Sequence, residues 1–371
     1  MSKHLHIVMH DVPWPADFVG VTDLYYKIKW LHVAGIRIHL HCFVKQRPPQ
    51  PYLEKYCETV RYYKRKTAAG YSLSLPYIVS SRKSEQLISN LEKDDYPVLL
   101  EGIHCTYPLF SGRLKHRKVF LRLHNVEHKY YANLAANESN IFKKLYFRIE
   151  ARLLKKYEQV IAPMVPVWSV SEADAAYYQK SFSADAHFFP VFLPWETASG
   201  KSGKGHYCLY HGNLSVNENE KAAEWLITKV FSGLDIPLII AGKGPSAKLR
   251  KLVGKHECVS IVADPHENVM QDLIEKAQVN VLPSMNSTGV KLKLLNALFN
   301  GRHCLVNKPG AEGSGVEELC SIADSAADFR KKTTLLFSEN FAETTMQYRS
   351  TALKAIYNNE QNARRLIAWI W

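Results

Sequence analysis

The chain lacks any apolar run of the ~18–20 residues that a membrane-spanning helix requires, so an integral α-helical membrane protein is not expected. Its opening, "MSKHLHIVMH", is too polar and becomes strand-like too soon for a secretory signal. Seven cysteines (42, 57, 105, 208, 258, 304 and 320) are scattered with no Cys-x-x-Cys pair. That spacing argues against a disulfide framework or a thiolate zinc site, and it suggests buried thiols in a reducing cytosol. No Asp-x-Asp occurs in the 371 residues, so the acidic pair that commonly chelates a metal against a diphosphate is missing. No segment repeats with a period of 20–50 residues. No helix-turn-helix, zinc-finger or RNP pattern appears, and nucleic acid is not an expected partner. Acidic residues are in short supply, 35 against 48 Lys and Arg. The deficit is concentrated before residue 190, where the net charge is +10 against +3 afterwards. An anionic partner for the first half follows.

What is present is a well-filled globular composition, 46% hydrophobic and 11% aromatic. Short strand-like runs alternate with helical patterns. In the first half they are "HLHIVMH" (4–10), "RIHLHCF" (37–43), "VRYY" (60–63), "YPVLLEGI" (96–103), "KVFLRLH" (118–124) and "VIAPMVPVWSVS" (160–171). In the second half they are "HYCLYHGN" (206–213), "PLIIAGKG" (237–244), "VSIVAD" (259–264), "VNVLPS" (279–284), "HCLVN" (303–307) and "CSIAD" (320–324). Between the first two runs, Leu24, Ile28 and Leu31 fall on one helical face, with Gly35 as a stop. Strands alternating with helices predict an α/β protein with parallel sheets covered on both faces. The Pro-, Gly- and Ser-rich stretch 188–207 predicts a linker between two doubly wound domains. In such folds ligands bind at the carboxyl ends of the strands.

One stretch, "TGVKLKLLNALFNG" (288–301), poses a physical question. It reads as a helix starting near Gly289, with Val290, Leu294 and Leu298 facing the core beside Leu295 and Phe299. Lys291 and Lys293 then fall in its first turn, where cations oppose the helix dipole. An anion in front of that turn resolves the conflict. Free N–H groups, a glycine that permits close approach and two lysines make a diphosphate-sized site. A surface helix with solvated lysines is the plain alternative.

The segment "VLPSMNSTGVKLKLLNALFNGRHCLVN…GAEG" resembles the donor-binding segment of GT-B glycosyltransferases, especially the retaining family 4. "YHGNLSVNENEKAAEWLI" and "PLIIAGKGP" resemble the same family's second-domain entry and next strand. "PWPADFVGVTDLYYKIKWLHVAGIRIHLHCF", "VFLRLHNVEHKYY" and "VWSVSEADAAYY" resemble parts of its first domain. The resemblance spans nearly the whole chain in the right order. It implies two tandem Rossmann-like doubly wound parallel-sheet domains with an interdomain cleft. The acceptor-binding domain would run over 1–190, with a C-terminal helix within 341–371 crossing back to it, and the donor-binding domain over 205–340. It implies transfer of a hexose from a UDP- or GDP-linked sugar to a glycan or lipid-linked acceptor, with retained configuration and no cofactor or metal. His124 would contact the transferred sugar, and Lys293 would stabilise the leaving diphosphate. Gly20, Gly212, Asn213, Gly242, Thr288, Gly289, Val290, Lys291, Lys293 and Asn296 would surround the donor. The sequence departs from the family where two glutamates are usual, having Thr288 and Asn296 instead. It departs again where an Arg and a Lys are usual, having Asn213 and Glu218, with Lys221 a loose substitute. These changes leave open a homologue that binds a sugar nucleotide without catalysis.

Two further patterns compete for attention. "HNVEH" (124–128) matches a zinc motif, but it binds zinc only if all five residues are helical, and "KVFLRLH" reads as a strand up to His124. "IFKKLYFRIEARLLKKYE" (141–158) is a basic helix whose Ile141, Leu145, Ile149 and Leu153 form an apolar stripe. Packing of that stripe in the core is the plain reading. The sharper one is docking on anionic lipid through Lys143, Lys144, Arg148 and Lys156. That reading makes the protein cytoplasmic and peripheral on the inner face of the cytoplasmic membrane.

Overall fold

Runs such as "VLLE" and "VFLRL" carry apolar side chains at successive positions, so both faces of each strand must be covered. In the computed structural model, which describes residues 2–16, 19–67 and 70–371 (only the backbone of Val19 and Gly20), these runs form two all-parallel sheets. The first holds β1 (His4–Met9), β2 (Arg37–Val44), β3 (Thr59–Lys64), β4 (Val98–Glu101), β5 (Val119–Leu123), β6 (Val167–Ser169) and β7 (Ala186–Phe188). Their order is β3-β2-β1-β4-β5-β6-β7, which reverses direction between β1 and β4. The second holds β8 (Cys208–His211), β9 (Leu238–Gly242), β10 (Val259–Ala263), β11 (Val279–Val281), β12 (His303–Val306) and β13 (Ser321–Ile322). Its order is β10-β9-β8-β11-β12-β13, with the reversal between β8 and β11. Such reversals open a crevice at the carboxyl ends of the flanking strands.

The chain divides into one unit of Met1–Pro194 with Tyr357–Trp371 and another of Trp195–Ile356. Seven helices matter to the argument: α1 (Val19–Val33), α2 (Glu127–Asn137), α3 (Ile141–Ile161), α4 (Asn217–Trp225), α5 (Leu292–Asn300), α6 (Glu343–Ile356) and α7 (Asn359–Ile370). Leu24, Ile28 and Leu31 of α1 are fully buried against one face of the first sheet, as their spacing predicts. Gly35 follows with φ +83°, a left-handed stop that costs glycine little. Ala363, Leu366 and Ile370 of α7 complete that core. The single C-terminal helix expected over 341–371 is two helices, and only α7 belongs to the first unit. Part of the expected linker is held firmly in that unit. Phe189 and Phe192 are buried, and Leu193 N–H donates to Asn359 Oδ1 at 3.0 Å while Asn359 Nδ2 donates back to the Leu193 carbonyl at 2.8 Å.

Two expectations fail, each for a visible reason. The stripe Ile141, Leu145 and Ile149 does not face the core; these residues are 68%, 56% and 46% exposed. The buried face of α3 is instead Glu150, Leu154, Tyr157, Glu158 and Ile161. Glu150 accepts from Tyr77 N–H at 2.8 Å. Glu158 accepts from Glu127 N–H at 2.9 Å and the Tyr178 hydroxyl at 2.7 Å, and it meets His128 Nδ1 in a close contact. Carboxylates satisfied this fully can be buried, and they set the rotation of the helix. The second failure is at 288–291. Helix α5 starts at Leu292, and Lys291 is its N-cap residue with extended backbone. Gly289 sits at φ +65°, and Thr288 turns inward onto Asn286, so the chain does not become helical until it passes them.

Across β1, β2 and β3 runs a largely buried chain of hydrogen-bonded polar groups. Asp94 accepts from His6 Nε2 at 2.9 Å, His6 Nδ1 meets His41 Nε2 at 2.8 Å, and His41 Nδ1 meets the Tyr63 hydroxyl at 2.8 Å. Asn90 Nδ2 donates to that hydroxyl at 3.0 Å. Neutral rings protonated on Nε2 satisfy every contact. Burial holds His6 below its ordinary pKa and His41 well below it. Replacing Tyr63 by Phe orphans His41 Nδ1 and Asn90 Nδ2 together. Tyr63→Phe should cost about 1–3 kcal/mol of stability, read as a lower urea midpoint at unchanged slope. An unchanged midpoint would show that the relay contributes nothing.

Candidate functional site

Each unit gathers polar residues at its reversal point. In the first, the centre is Asp23 of α1, 2% exposed. Its carboxylate accepts from Lys27 Nζ at 3.1 Å, Arg122 Nε at 3.1 Å, Arg122 Nη2 at 3.2 Å and Phe192 N–H at 2.7 Å. His124 Nε2 lies 3.0 Å from Asp23 Oδ2. Lys27 also donates to Glu101 Oε1 at 2.6 Å. Burial alone would raise the Asp23 pKa, but Arg122 and Lys27 hold it well below the carboxylate range. Two carboxylates and two cations balance, and His124 is fixed through Nε2 just beyond the end of β5 with its side chain 19% exposed. Sequence reasoning singled out His124 but missed the four charged residues that orient it. Asp23 and Lys27 were legible only as an i, i+4 pair on a helix otherwise apolar on that face.

Asp23, Glu101 and His124 are the one group among the described residues whose potential ligand atoms lie close enough for a metal ion. Lys27 and Arg122 already occupy those carboxylates, and a divalent ion would meet both cations. The "HNVEH" zinc reading also fails on geometry. His124 ends a strand and turns to Asp23, whereas His128 lies in α2 and turns to Glu158 and, at 3.1 Å, to the Tyr177 hydroxyl. Gly20, expected in a loop, is the second residue of α1; Asp17 and Phe18 before it lie outside the described residues.

In the second unit the reversal point is lined by the ends of β8 and β9 and by residues 284–293. Gly242 and Gly212 meet backbone to backbone: a Cβ on Gly242 would lie 1.8 Å from the Gly212 carbonyl oxygen. Asn213 folds the next turn by accepting from Ser215 N–H at 3.1 Å, and its carbonyl accepts from Asn219 Nδ2 at 3.0 Å. Across from this turn, Lys293 on the first turn of α5 lies 3.5 Å from Asn219 Oδ1 and 5.1 Å from the Tyr210 ring. Among the described residues no carboxylate ion-pairs with Lys293; Glu218 attracts it only at longer range. Burial, helped by Lys291, lowers its pKa to about 8. His211 beside it is held neutral by burial, its pKa lowered to about 3.

The other expected donor residues divide. Lys291 curls back, donating to the carbonyls of Thr288 and Gly289. Thr288 is buried, and its hydroxyl donates to Asn286 at 3.0 Å. Asn296 accepts from Asn300 Nδ2 at 2.8 Å. Val290 is half-buried beside Gly289. Gly212, Asn213, Gly242 and Lys293 therefore share one reversal point, while Thr288 and Asn296 are engaged internally. Glu218, which the sequence marked only as a departure from a lysine, is the acid of this site and contacts Ser284 Oγ at 3.5 Å.

No protein-family profile matches the chain. An uncharacterized 44.6 kDa protein in the cps region of Klebsiella pneumoniae is 28% identical over 348 residues, covering 88% of each chain. Among solved structures, sucrose-phosphate synthase of Thermosynechococcus elongatus superposes with TM-score 0.71 at 13% identity, over 99% of this chain and 98% of that one. A variant of S. aureus TarM in complex with fondaparinux, alpha-GlcNAc-glycerol and UDP gives 0.67 at 10% identity, over 99% of both. Arabidopsis thaliana UGT89C1 complexed with UDP gives 0.57 at 12%, again over 99% of both. These likenesses establish the fold, two Rossmann-like parallel-sheet domains of the GT-B type.

If a diphosphate binds at Lys293, whose pKa is about 8, its binding depends on pH in a specific window. The protonated form attracts the anion, so affinity should be flat from pH 6.5 to 7.5 and fall as pH rises past 8, by up to tenfold per unit. Lys293→Arg should abolish that fall. Lys293→Ala should weaken UDP or GDP by about 1.5–3 kcal/mol, and more than Lys291→Ala, whose ammonium already serves two carbonyls. Calorimetric titration reads all three; Lys293→Ala binding within twofold of the parent would remove Lys293 from the site.

Proposed function

We propose that the protein is a glycosyltransferase moving a hexose from a UDP- or GDP-linked sugar to a glycan or lipid-linked acceptor, with retention of configuration. The observation that carries this reading is the second unit's reversal point. It joins a backbone-to-backbone glycine step, a left-handed Gly289 and a lysine with no ion-paired acid, at the start of a nine-residue helix. That combination suits a diphosphate, since amide donors and one compact cation can neutralise it without a metal. Two structural neighbours were solved with UDP, which supports the same placement here. In this reading the second unit binds the donor through Gly212, Asn213, Gly242, Gly289 and Lys293, and the first unit binds the acceptor. As the bond from the anomeric carbon to the β-phosphate oxygen breaks, Lys293 stabilises the charge growing on that phosphate. The leaving diphosphate takes the acceptor's proton, and His124, oriented by Asp23, hydrogen-bonds the transferred sugar. A second reading, a sugar-nucleotide binder without catalysis, draws on the internal engagement of Thr288 and Asn296.

The test is a thermal-shift screen of UDP, GDP and ADP with their sugars, followed by turnover of the responding donor. Transfer or donor hydrolysis separates enzyme from binder. Turnover should persist in excess EDTA. Loss of activity restored by Mg²⁺ or Mn²⁺ would show that Lys293 does not suffice, and restoration by Zn²⁺ alone would overturn the mechanism.

The solvent side of α3 supports a place for this chemistry. Ile141, Phe142 (80% exposed), Leu145 and Ile149 form an uncovered apolar stripe between Lys143 and Arg148. Tyr71 and Leu73 are exposed as well, and the Tyr71 ring lies 6.5 Å from that of Tyr146 on α3. Apolar side chains flanked by cations suit insertion at an anionic lipid surface, on the cytoplasmic side in this reading. None of the described helices is long and apolar enough to cross a membrane. Replacing Lys143, Lys144, Arg148 and Lys156 with Gln should weaken binding to phosphatidylglycerol vesicles by ~1 kcal/mol per charge near the surface. Phe142→Ser should weaken it further while leaving nucleotide affinity unchanged. A parent protein that ignores such vesicles at low salt would refute the membrane reading.

A further inference from the structure

Among the described residues, the reversal point of the first unit holds two arginines that no acid contacts. Arg82 is only 5% exposed, yet its guanidinium has no acid in contact among the described residues. It donates to the carbonyls of His10 (3.2 and 3.0 Å) and Ile78 (2.6 Å), which fix its plane and leave N–H groups over. Arg65 lies close enough to lower the Arg82 pKa, after burial, to about 10. Its own contacts are Ser81 Oγ at 2.9 Å and the face of Tyr77, again with no acid. A buried arginine is ordinarily paired, because an uncompensated charge in a low-dielectric site costs several kcal/mol.

Two imidazoles point the same way. His10 follows β1, and His104 follows β4; their rings stack at 5.0 Å. Nδ1 of each is buried without a hydrogen-bond partner. Both face the backbone of Gly102, where a Cβ would lie 3.0 Å from His104 Nδ1 and 3.8 Å from His10 Nδ1. Glycine there, at φ +83°, keeps the space between them open. The acids that face this cluster do not cancel it. Asp11 acts on Arg82 and Arg65 only at a distance, and its carboxylate accepts from Val12 N–H at 2.8 Å. Glu127 is pushed up to about 8 by burial and by Glu158, so it is largely protonated at neutral pH.

We propose that His10, Arg65, Arg82 and His104 form an anion subsite for a phosphate or carboxylate carried by the acceptor. The word acceptor rests on the transferase reading; the anion subsite itself does not. A bound dianion accepts N–H donors from Arg82, with Arg65 closing the charge balance, and it draws a proton onto the two imidazoles, held neutral without it by burial and the arginines, so that Nδ1 of each donates to it. The orphaned groups are thereby satisfied in a single step.

Inorganic phosphate is the first probe, titrated against chloride of equal ionic strength in the presence of saturating UDP. The parent should be stabilised by phosphate, and Lys293→Ala, in the other unit, should respond equally. Arg65→Gln and His104→Asn should each weaken phosphate at least fivefold. Arg82→Lys should do the same, and if it fails to fold, the other two variants still decide. Glucose 6-phosphate and glucuronate, against glucose as the neutral control, then identify which anion the subsite prefers on a sugar. The subsite is refuted if the parent shows no response beyond chloride. It is also refuted if the response vanishes in Lys293→Ala, or stays within twofold of the parent in both Arg65→Gln and His104→Asn. Neither charged sugar binding better than glucose would remove the acceptor from the proposal. If UDP itself fails to bind, the donor reading falls while the phosphate result still stands.

Discussion

The carboxylate of Asp23 holds the first unit's site together. Five hydrogen bonds converge on it, from its own helix, from β5, from the residue after β5 and from the chain leaving β7. Its burial is tolerable only because Lys27 and Arg122 compensate it, and theirs only because Glu101 shares the load. Removing any one member leaves an unpaired charge in the interior, a loss of about 3–5 kcal/mol. The network ties the first helix, the sheet and the segment 189–192 into one arrangement, with Arg122 also donating to the Phe189 and Pro190 carbonyls. His124 inherits its orientation from this arrangement.

The second unit solves a different problem with the opposite economy of charge. No buried ion pair organises its reversal point. Gly212 and Gly242 bring two strand ends together by backbone contact alone, and Asn213 and Asn219 supply neutral hydrogen bonds. Lys293, the cation at this reversal point, is left without an ion-paired acid and with a depressed pKa. On the proposed donor reading this incompleteness is expected, because a pre-formed salt bridge would have to break when a multiply charged anion binds.

How much of this was legible follows from which signals are local. The strands announced themselves through apolar runs, and α1 through Leu24, Ile28 and Leu31, because period and burial coincide there. β7, only three residues long and half apolar, carried too little signal to find. The helix beginning at Leu292 was placed three residues early, since nothing in the composition shows that Thr288 will turn onto Asn286. Gly289 and Lys293 stood out through the strand–turn–glycine–helix pattern, and Gly212 and Gly242 through the family resemblance. The links of Arg82 to His10, and of Asp23 to its partners other than Lys27, did not, because they span 72 to 169 residues of chain and no local pattern encodes them.

The misreading of α3 carries the most physical information. A periodic apolar stripe normally identifies the buried face, yet here tertiary hydrogen bonds outweigh it. Glu158 alone receives a backbone amide and a tyrosine hydroxyl and meets a histidine, and Glu150 receives an amide from the start of another helix. Turning the helix to bury Ile141, Leu145 and Ile149 would expose Leu154, Tyr157 and Ile161 and leave those donors unpaired in the interior. The stripe is therefore left outside by the same contacts that anchor α2 beside His124. A sequence that retains four large apolar side chains on a solvent face, interleaved with lysine and arginine, does so at a cost in solubility, which contact with a lipid surface would offset.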